Sequence, residues 1–224
     1  MSEAISFEID EDLFRANLVK YTRKAFQMLP KLEKPRILDI GCGSGIPTIE
    51  LAKLSDGEIL GIDIDQSCLD VLDKRIKAEA FSNRVRTMKC SIFEMTFPDK
   101  SFDIIWAEGS IHTIGFETGL KEWQRLIKTR GFLVVHDESK NMAIKLEKIP
   151  ICGYDLLNYF LLPEDTWWRE YYGPLEIRIK KVYEKYGNDP RAIKMVEKQQ
   201  KIVEMVKKNP SDYKSVFFVM QKKK

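Results

Sequence analysis

The stretch that most constrains this chain is Arg36 to Lys53, RILDIGCGSGIPTIELAK. Ile37-Leu38-Asp39-Ile40 is a short apolar run of the kind that fills a buried parallel strand, Gly41-Cys42-Gly43-Ser44-Gly45 is a loop, and Ile46 to Leu54 has helical periodicity. A strand, a glycine loop and a helix in immediate succession place helix N-terminal amides, with their partial positive charge, at the carboxyl edge of a sheet. Glycines in the loop remove the side chains that would hold a ligand away from the backbone. The segment therefore reads as a nucleotide or nucleoside pocket. Pro47 suits the first helical turn, where the missing amide has no intrahelical partner anyway.

Spacing then separates the candidates. A dinucleotide fingerprint has its third glycine three residues after the second, whereas one residue separates Gly43 from Gly45. Asp39 lies two positions before the first glycine. The segment resembles motif I, acidic-x-G-x-G-x-G, of the class I S-adenosylmethionine-dependent methyltransferases. The resemblance implies that the backbone of Gly41, Cys42 and Gly43 wraps the methionine part of S-adenosyl-L-methionine and that Asp39 helps hold its ammonium group.

Downstream segments fall in the matching order. Glu58 to Asp65 is an apolar strand ending in acid, and Asp63 stands ~20 residues beyond the glycines, where a carboxylate accepts both ribose hydroxyls. Ile64 would press on the adenine face, and Asp65 caps a helix over Gln66 to Ala80. Val85 to Cys90 reads as the third strand. The run Ser91 to Asp103 resembles the family block D-x-x-x-L-P-F-x-D-x-S-F-D, with Ser91 in place of the acid and Thr96 in place of a common proline. The resemblance implies adenine contacts from the Ser91 hydroxyl and the Ile92 amide, and puts Phe93 and Ala107 among the cofactor-binding residues.

Phe102 to Ala107 is the fourth strand, and Glu108-Gly109-Ser110-Ile111-His112 follows at the edge where a parallel sheet presents its chemistry. Glu108 and His112 are the candidate catalytic groups, nearest the expected methyl position. His136, the other histidine, lies among apolar strand neighbours and reads as a core residue. Family amide methylases carry N/D-P-P-Y/F at this loop and cytosine-carbon methylases use a Pro-Cys dipeptide; neither is present. Nucleic-acid methylation is thereby demoted. Phe116 to Lys128 is an amphipathic helix, Thr129 to Phe132 a turn, and Leu133 to His136 the fifth strand. Together, LKEWQRLIKTRGFLVVHDES resembles the small-molecule branch, of the methyltransferase type 11/25 kind.

The fold expected is α/β: a Rossmann-like, seven-stranded, mostly parallel sheet of order 3-2-1-4-5-7-6, its last strand antiparallel, with helices on both faces. Tyr154 to Leu162 and Tyr213 to Gln221 form the closing pair, and helical stretches at Thr166 to Tyr186 and Pro190 to Lys208 are inserted between them. The insertion, 163–210, reads as a lid or a homodimer surface. Its Trp167, Trp168, Tyr171 and Tyr172 read as core or subunit packing, with substrate lining as the alternative. The whole of 1–224 is taken as one methyltransferase domain, with an N-terminal helix inside 1–30 (about Leu13 to Leu29) and a cofactor core at 36–139. On that helix Tyr21, Thr22 and Arg23 either touch the ligands or, more plainly, belong to a packing helix.

Composition bounds the partners. A formal charge of +3 predicts no strong sequence-independent attraction to nucleic acid. Cys42, Cys68, Cys90 and Cys152 show neither CxxC pairing nor zinc spacing, so no metal site is expected and the thiols read as reduced. The acidic start MSEAISFEIDEDLF lacks an apolar signal core, and no apolar run is long enough to span a bilayer, so a cytoplasmic protein without a membrane partner is expected.

The function expected is methyl transfer from S-adenosyl-L-methionine to a small-molecule acceptor by in-line displacement. Aligning the two reactants in a dry cleft supplies roughly 7–11 kcal/mol by itself, so a base is optional. The alternative is a protein that binds the cofactor without turnover, motivated by Ser91 and the absence of a strong catalytic group. An NAD-dependent oxidoreductase is disfavoured by the loop spacing and by the lack of a Tyr-x-x-x-Lys pair at the sheet edge.

Overall fold

The structure, a computed structural model, describes residues 9–224; the expectations for the acidic N-terminal stretch up to Glu8 lie outside the described residues. Seven strands form one sheet in the order β3-β2-β1-β4-β5-β7-β6. They are β1 (Arg36–Ile40), β2 (Glu58–Asp63), β3 (Val85–Lys89), β4 (Phe102–Glu108), β5 (Ile127–Glu138), β6 (Tyr154–Leu161) and β7 (Ser215–Lys222). Pairs among β1 to β5 are parallel, and β7 runs antiparallel to both its neighbours. The chain divides into two compact units: the sheet unit, residues 20–161 with 215–224, and a helical unit, residues up to 19 with 162–214.

Alternation along the strands gives the sheet two faces of different character. One face carries Leu38, Ile40, Ile62, Ile105, Ala107, Leu133, Val135, Val216 and Phe218. They pack with Leu120 and Trp123 of α5 (Phe116–Gln124) and Ile149 of α6 (Met142–Ile151) in one buried cluster. The other carries Asp39, Trp106, Glu108, His136 and Phe217, as the register shows. Toward this face Phe26 of α2 (Val19–Phe26) meets the Trp106 ring at 6.2 Å, and Leu72 of α4 (Gln66–Ala78) approaches Gly61. Helices thus cover both faces, as expected.

Several boundaries differ from the sequence expectation. The N-terminal helix is broken into α1 (Glu11–Arg15), a 3-10 turn (Ala16–Leu18) and α2. The turn contains Asn17, a poor helix former whose amide donates to the Glu170 carbonyl at 2.8 Å. Helix α5 stops at Gln124 rather than Lys128, because the carbonyls of Arg125 and Leu126 accept from the amides of Lys100 and Phe102 and so join β4. The expected turn at Thr129 to Phe132 lies inside β5: Arg130 has a φ of +60° and the β4–β5 register shifts there, so the irregularity is absorbed as a bulge. Helix α6 was not anticipated.

The helical unit contains a π-turn at Trp168–Tyr172, α7 (Gly173–Tyr186) and α8 (Pro190–Lys208), close to the expected stretches. Tyr171 is buried, in edge contact with Phe14, Trp167 and Tyr172, and its hydroxyl donates to Glu11. The aromatic run therefore packs on itself and forms the unit's core with Leu175, Ile179, Val182 and Val196.

Helix α3 (Ile46–Leu54) follows the glycine loop, and Gly45 is its N-cap at φ +84°. A Cβ there would fall 2.1 Å from Leu72 Cδ1. Left-handed strain and overpacking act together, so Gly45→Ala is expected to lower stability by about 2–4 kcal/mol, read as a reduced urea midpoint with an unchanged m-value.

Candidate active site

The site is built at the carboxyl edge of β1, β2 and β4. After β1 the amides of Gly41 and Cys42 both donate to the Ile62 carbonyl, at 2.8 and 3.0 Å, which folds the loop back over β2. Gly41, Gly43 and Gly45 all have positive φ. A Cβ at Gly41 would lie 2.5 Å from Ser110 Cβ, and Ser110 Oγ donates to the Ile40 carbonyl at 2.6 Å, so the loop after β4 buttresses the loop after β1. At Gly43 a Cβ would meet nothing within 4 Å: the space above this residue is open.

Asp63 closes the cradle. Its Oδ2 accepts from the Gly43 amide at 2.8 Å and its Oδ1 from the Asp65 amide at 2.9 Å. Each oxygen keeps a second lone pair, enough for two sugar hydroxyls. Asp65 caps α4, accepting from the Ser67 amide at 2.8 Å. Ile64 and Phe93 are 66% and 65% exposed, a high value for large apolar side chains. Ser91 and Ile92 are half-buried beside them, and Ser91 Oγ accepts from the Phe93 amide at 3.2 Å.

Asp39 lies beneath the loop, 1% exposed, and accepts from Thr48 Oγ1 of α3 at 2.6 Å. Burial, opposed by the Thr48 bond and reinforced by the Asp63 carboxylate, pushes the Asp39 carboxyl up to about 7. Burial also raises the Cys42 thiol, with Asp39 and Asp63 adding to the effect, so this cysteine is an inert part of the loop. Ala107 is fully buried in the strand before the β4 loop.

At the end of β4, Glu108 is half-buried and its Oε1 accepts from the Trp106 indole at 2.7 Å. His112 is exposed on a 3-10 turn (Ile111–Thr113) whose Ile111 joins the core on the opposite sheet face. The structure places Glu108 with Asp39 and Asp63 on one face and does not bring His112 to them by register. Arg23 pairs with the buried Glu50 at 2.7 Å, and Thr22 is buried. Asp137, also at this edge, faces the other side and pairs with Lys145 at 2.6 Å.

Sequence reasoning had no account of Thr48, Ser110 or Trp106, which hold the site residues in place. Only the two-residue alternation from Trp106 to Glu108 was readable in the chain; Thr48 and Ser110 become neighbours of Asp39 and Gly41 through the fold. Among the described residues no cluster of His, Cys, Asp and Glu is arranged to hold a metal ion, and no helix is long and apolar enough to cross a membrane.

Residues 37–131 match the family model described as a methyltransferase domain. Over 106 residues the chain is 30% identical to the sterol 24-C-methyltransferase erg6 of Aspergillus fumigatus, covering 47% of this chain and 28% of that protein. The chain spans less than half the length of the first curated relatives it matches. Among solved structures, the 4+2 cyclase SpnF superposes with a TM-score of 0.77 at 19% identity, covering 92% of this chain and 81% of that one. The S-adenosylmethionine-dependent methyltransferase from Thiobacillus denitrificans, solved with S-adenosyl-L-homocysteine, gives 0.76 at 17% identity and 91% of each chain. These structures share the fold. Residues 37–131 are thus similar to a methyltransferase domain, and the fold is that of S-adenosylmethionine-dependent methyltransferases.

Asp39 has a consequence for stability. A carboxyl raised in the folded state binds more protons folded than unfolded, so its contribution is fully present below pH 4 and is lost as pH rises through about 7. The loss is at most about 4 kcal/mol. Asp39→Asn is expected to flatten that part of the ligand-free stability profile, measured as melting temperature against pH.

Proposed function

We propose that this protein transfers a methyl group from S-adenosyl-L-methionine to a small-molecule acceptor. The observation that carries the reading is the cradle formed by Gly41, Gly43 and Asp63, with open space above Gly43 and a carboxylate fixed beside it. A Cβ at Gly43 would occupy that space, so the residues present fit a ligand lying on the backbone. When bound, the cofactor would supply a methyl carbon on a cationic sulfur, an electrophile for the acceptor's lone pair with the neutral thioether as leaving group.

The chain's own residues bind and orient. Asp63 would accept from the ribose hydroxyls, Ile64 and Phe93 would cover the adenine, Ser91 and Ile92 would bond its edge, and Asp39 would lie toward the amino-acid end. Glu108, held by Trp106, is the group placed to take a proton from a hydroxyl or protonated amine acceptor. The acceptor is drawn from the small molecules that similar enzymes methylate, such as the 27-O-demethylrifamycin SV in the name of one of them.

Isothermal titration with S-adenosyl-L-methionine and S-adenosyl-L-homocysteine tests the first half, and incubation with methyl-labelled cofactor and a small-molecule extract tests the second. Micromolar binding and label on a metabolite are expected; no binding of either ligand at millimolar concentration ends the proposal. Asp63→Ala is expected to weaken binding at least tenfold, since two charge-assisted hydrogen bonds are removed.

A further inference from the structure

We propose that His136 is the positioning residue for Glu108, so that the acceptor side carries a carboxylate–imidazole pair and the acceptor is a molecule with a proton to lose, an amine or a hydroxyl. The register of β4 and β5 sets Glu108 directly beside His136, and registered residues of a parallel pair project from the same face. The Gly109 amide donates to the His136 carbonyl at 3.0 Å, which holds that register to the end of β4.

Both side chains are held from their outer sides. Glu108 is bonded by the Trp106 indole at 2.7 Å. The His136 ring is 8% exposed and stacks on Phe217 with centroids 4.5 Å apart and planes 23° from parallel. Phe217 in turn stacks on Phe160 at 5.2 Å and 14°, and the Lys24 ammonium lies 4.1 Å over the Phe160 ring. Phe217 stacks on the imidazole from β7, and Glu108 stands on β4, the neighbour of β5 on its other side. A ring packed for its apolar surface alone has no need of nitrogens, and a phenylalanine would extend the same stack.

The charged groups nearest along the sheet lie on other strands or the other face. Asp137 and Lys145 pair with each other on the opposite sheet face, Lys24 lies two rings away from His136, and Asp39 and Asp63 stand farther along the same face on β1 and β2. Glu108 is thus the acid directly beside His136 in the sheet. An imidazolium there favours the ionised carboxylate, keeping it ready to take the proton. That proton moves from the acceptor's nitrogen or oxygen to a Glu108 oxygen and then to water, which restores the carboxylate.

The chemical role rests on the methyl-transfer reading; the pairing does not, and it is tested without an acceptor. The chain has two histidines, so the ring signals of His136 and His112 are separable by NMR. Glu108→Gln is expected to lower the pH at which His136 titrates by at least half a unit and to leave the exposed His112 unchanged, while Glu108→Asp keeps most of the wild-type value. A His136 midpoint equal in the wild type and Glu108→Gln, or a ring that titrates in neither, overturns the proposal.

In the labelled-methyl assay with the extract fraction that the wild type labels, His136→Phe keeps the stack. It is expected to lose about tenfold in kcat, to move the acid limb of the rate profile to higher pH and to bind S-adenosyl-L-homocysteine normally. The double variant should be no worse than Glu108→Gln alone. Wild-type rates at every pH in His136→Phe overturn the role. Failure of the wild type to bind cofactor or transfer label counts against the methyl-transfer reading, and the NMR result then decides the pairing by itself.

Discussion

The hydrogen bond from the Gly43 amide to Asp63 Oδ2, 2.8 Å long, ties the loop after β1 to the end of β2. It acts on a loop already folded back by the Gly41 and Cys42 amides on the Ile62 carbonyl. Together these contacts keep the glycine backbone exposed and a carboxylate fixed beside it, two features that a ligand with a polar sugar and a cationic end requires. Everything else at the site is support. Thr48 holds Asp39 from below, Ser110 fills the space that a side chain at Gly41 would need, and Leu72 fills the space beside Gly45.

The two sheet faces divide the work. The face covered by α5 and α6 is apolar and supplies the large buried cluster that holds the strands together. Its opposite carries Asp39, Asp63, Glu108 and His136 near the carboxyl ends of four strands, with Trp106 and Phe217 between and beyond them. Burying polar groups there is costly unless each is bonded or left at the edge where a ligand arrives. Asp39 shows that cost in a carboxyl raised to about 7, whereas Asp63 and Glu108 are only half-buried and carry strong hydrogen bonds.

Much of this was legible before folding was considered. The apolar runs of β1, β2 and β4, the glycine spacing and the acid at the end of β2 each have a local cause, so the strands could be read from periodicity and the sheet order from resemblance. The Asp65 cap and the two long helices of the insertion were legible for the same reason: capping and 3.6-residue periodicity are written in neighbouring residues. What escaped were features decided by distant partners. Helix α5 ends early because β4 recruits the carbonyls of Arg125 and Leu126, and a segment that looks like a turn at Thr129 to Phe132 is absorbed into β5 as a bulge.

The chain by itself determined a glycine-rich crossover between two buried parallel strands, an acid at the second strand's end and the family those features resemble, because such patterns depend on residues a few positions apart. Only the tertiary structure decided which side chains stand together. His136 reads along β5 as one more core position, yet the β4–β5 register puts it beside Glu108, some 28 positions away in the chain. Local sequence cannot specify that adjacency, since strand register is set by packing across the whole sheet.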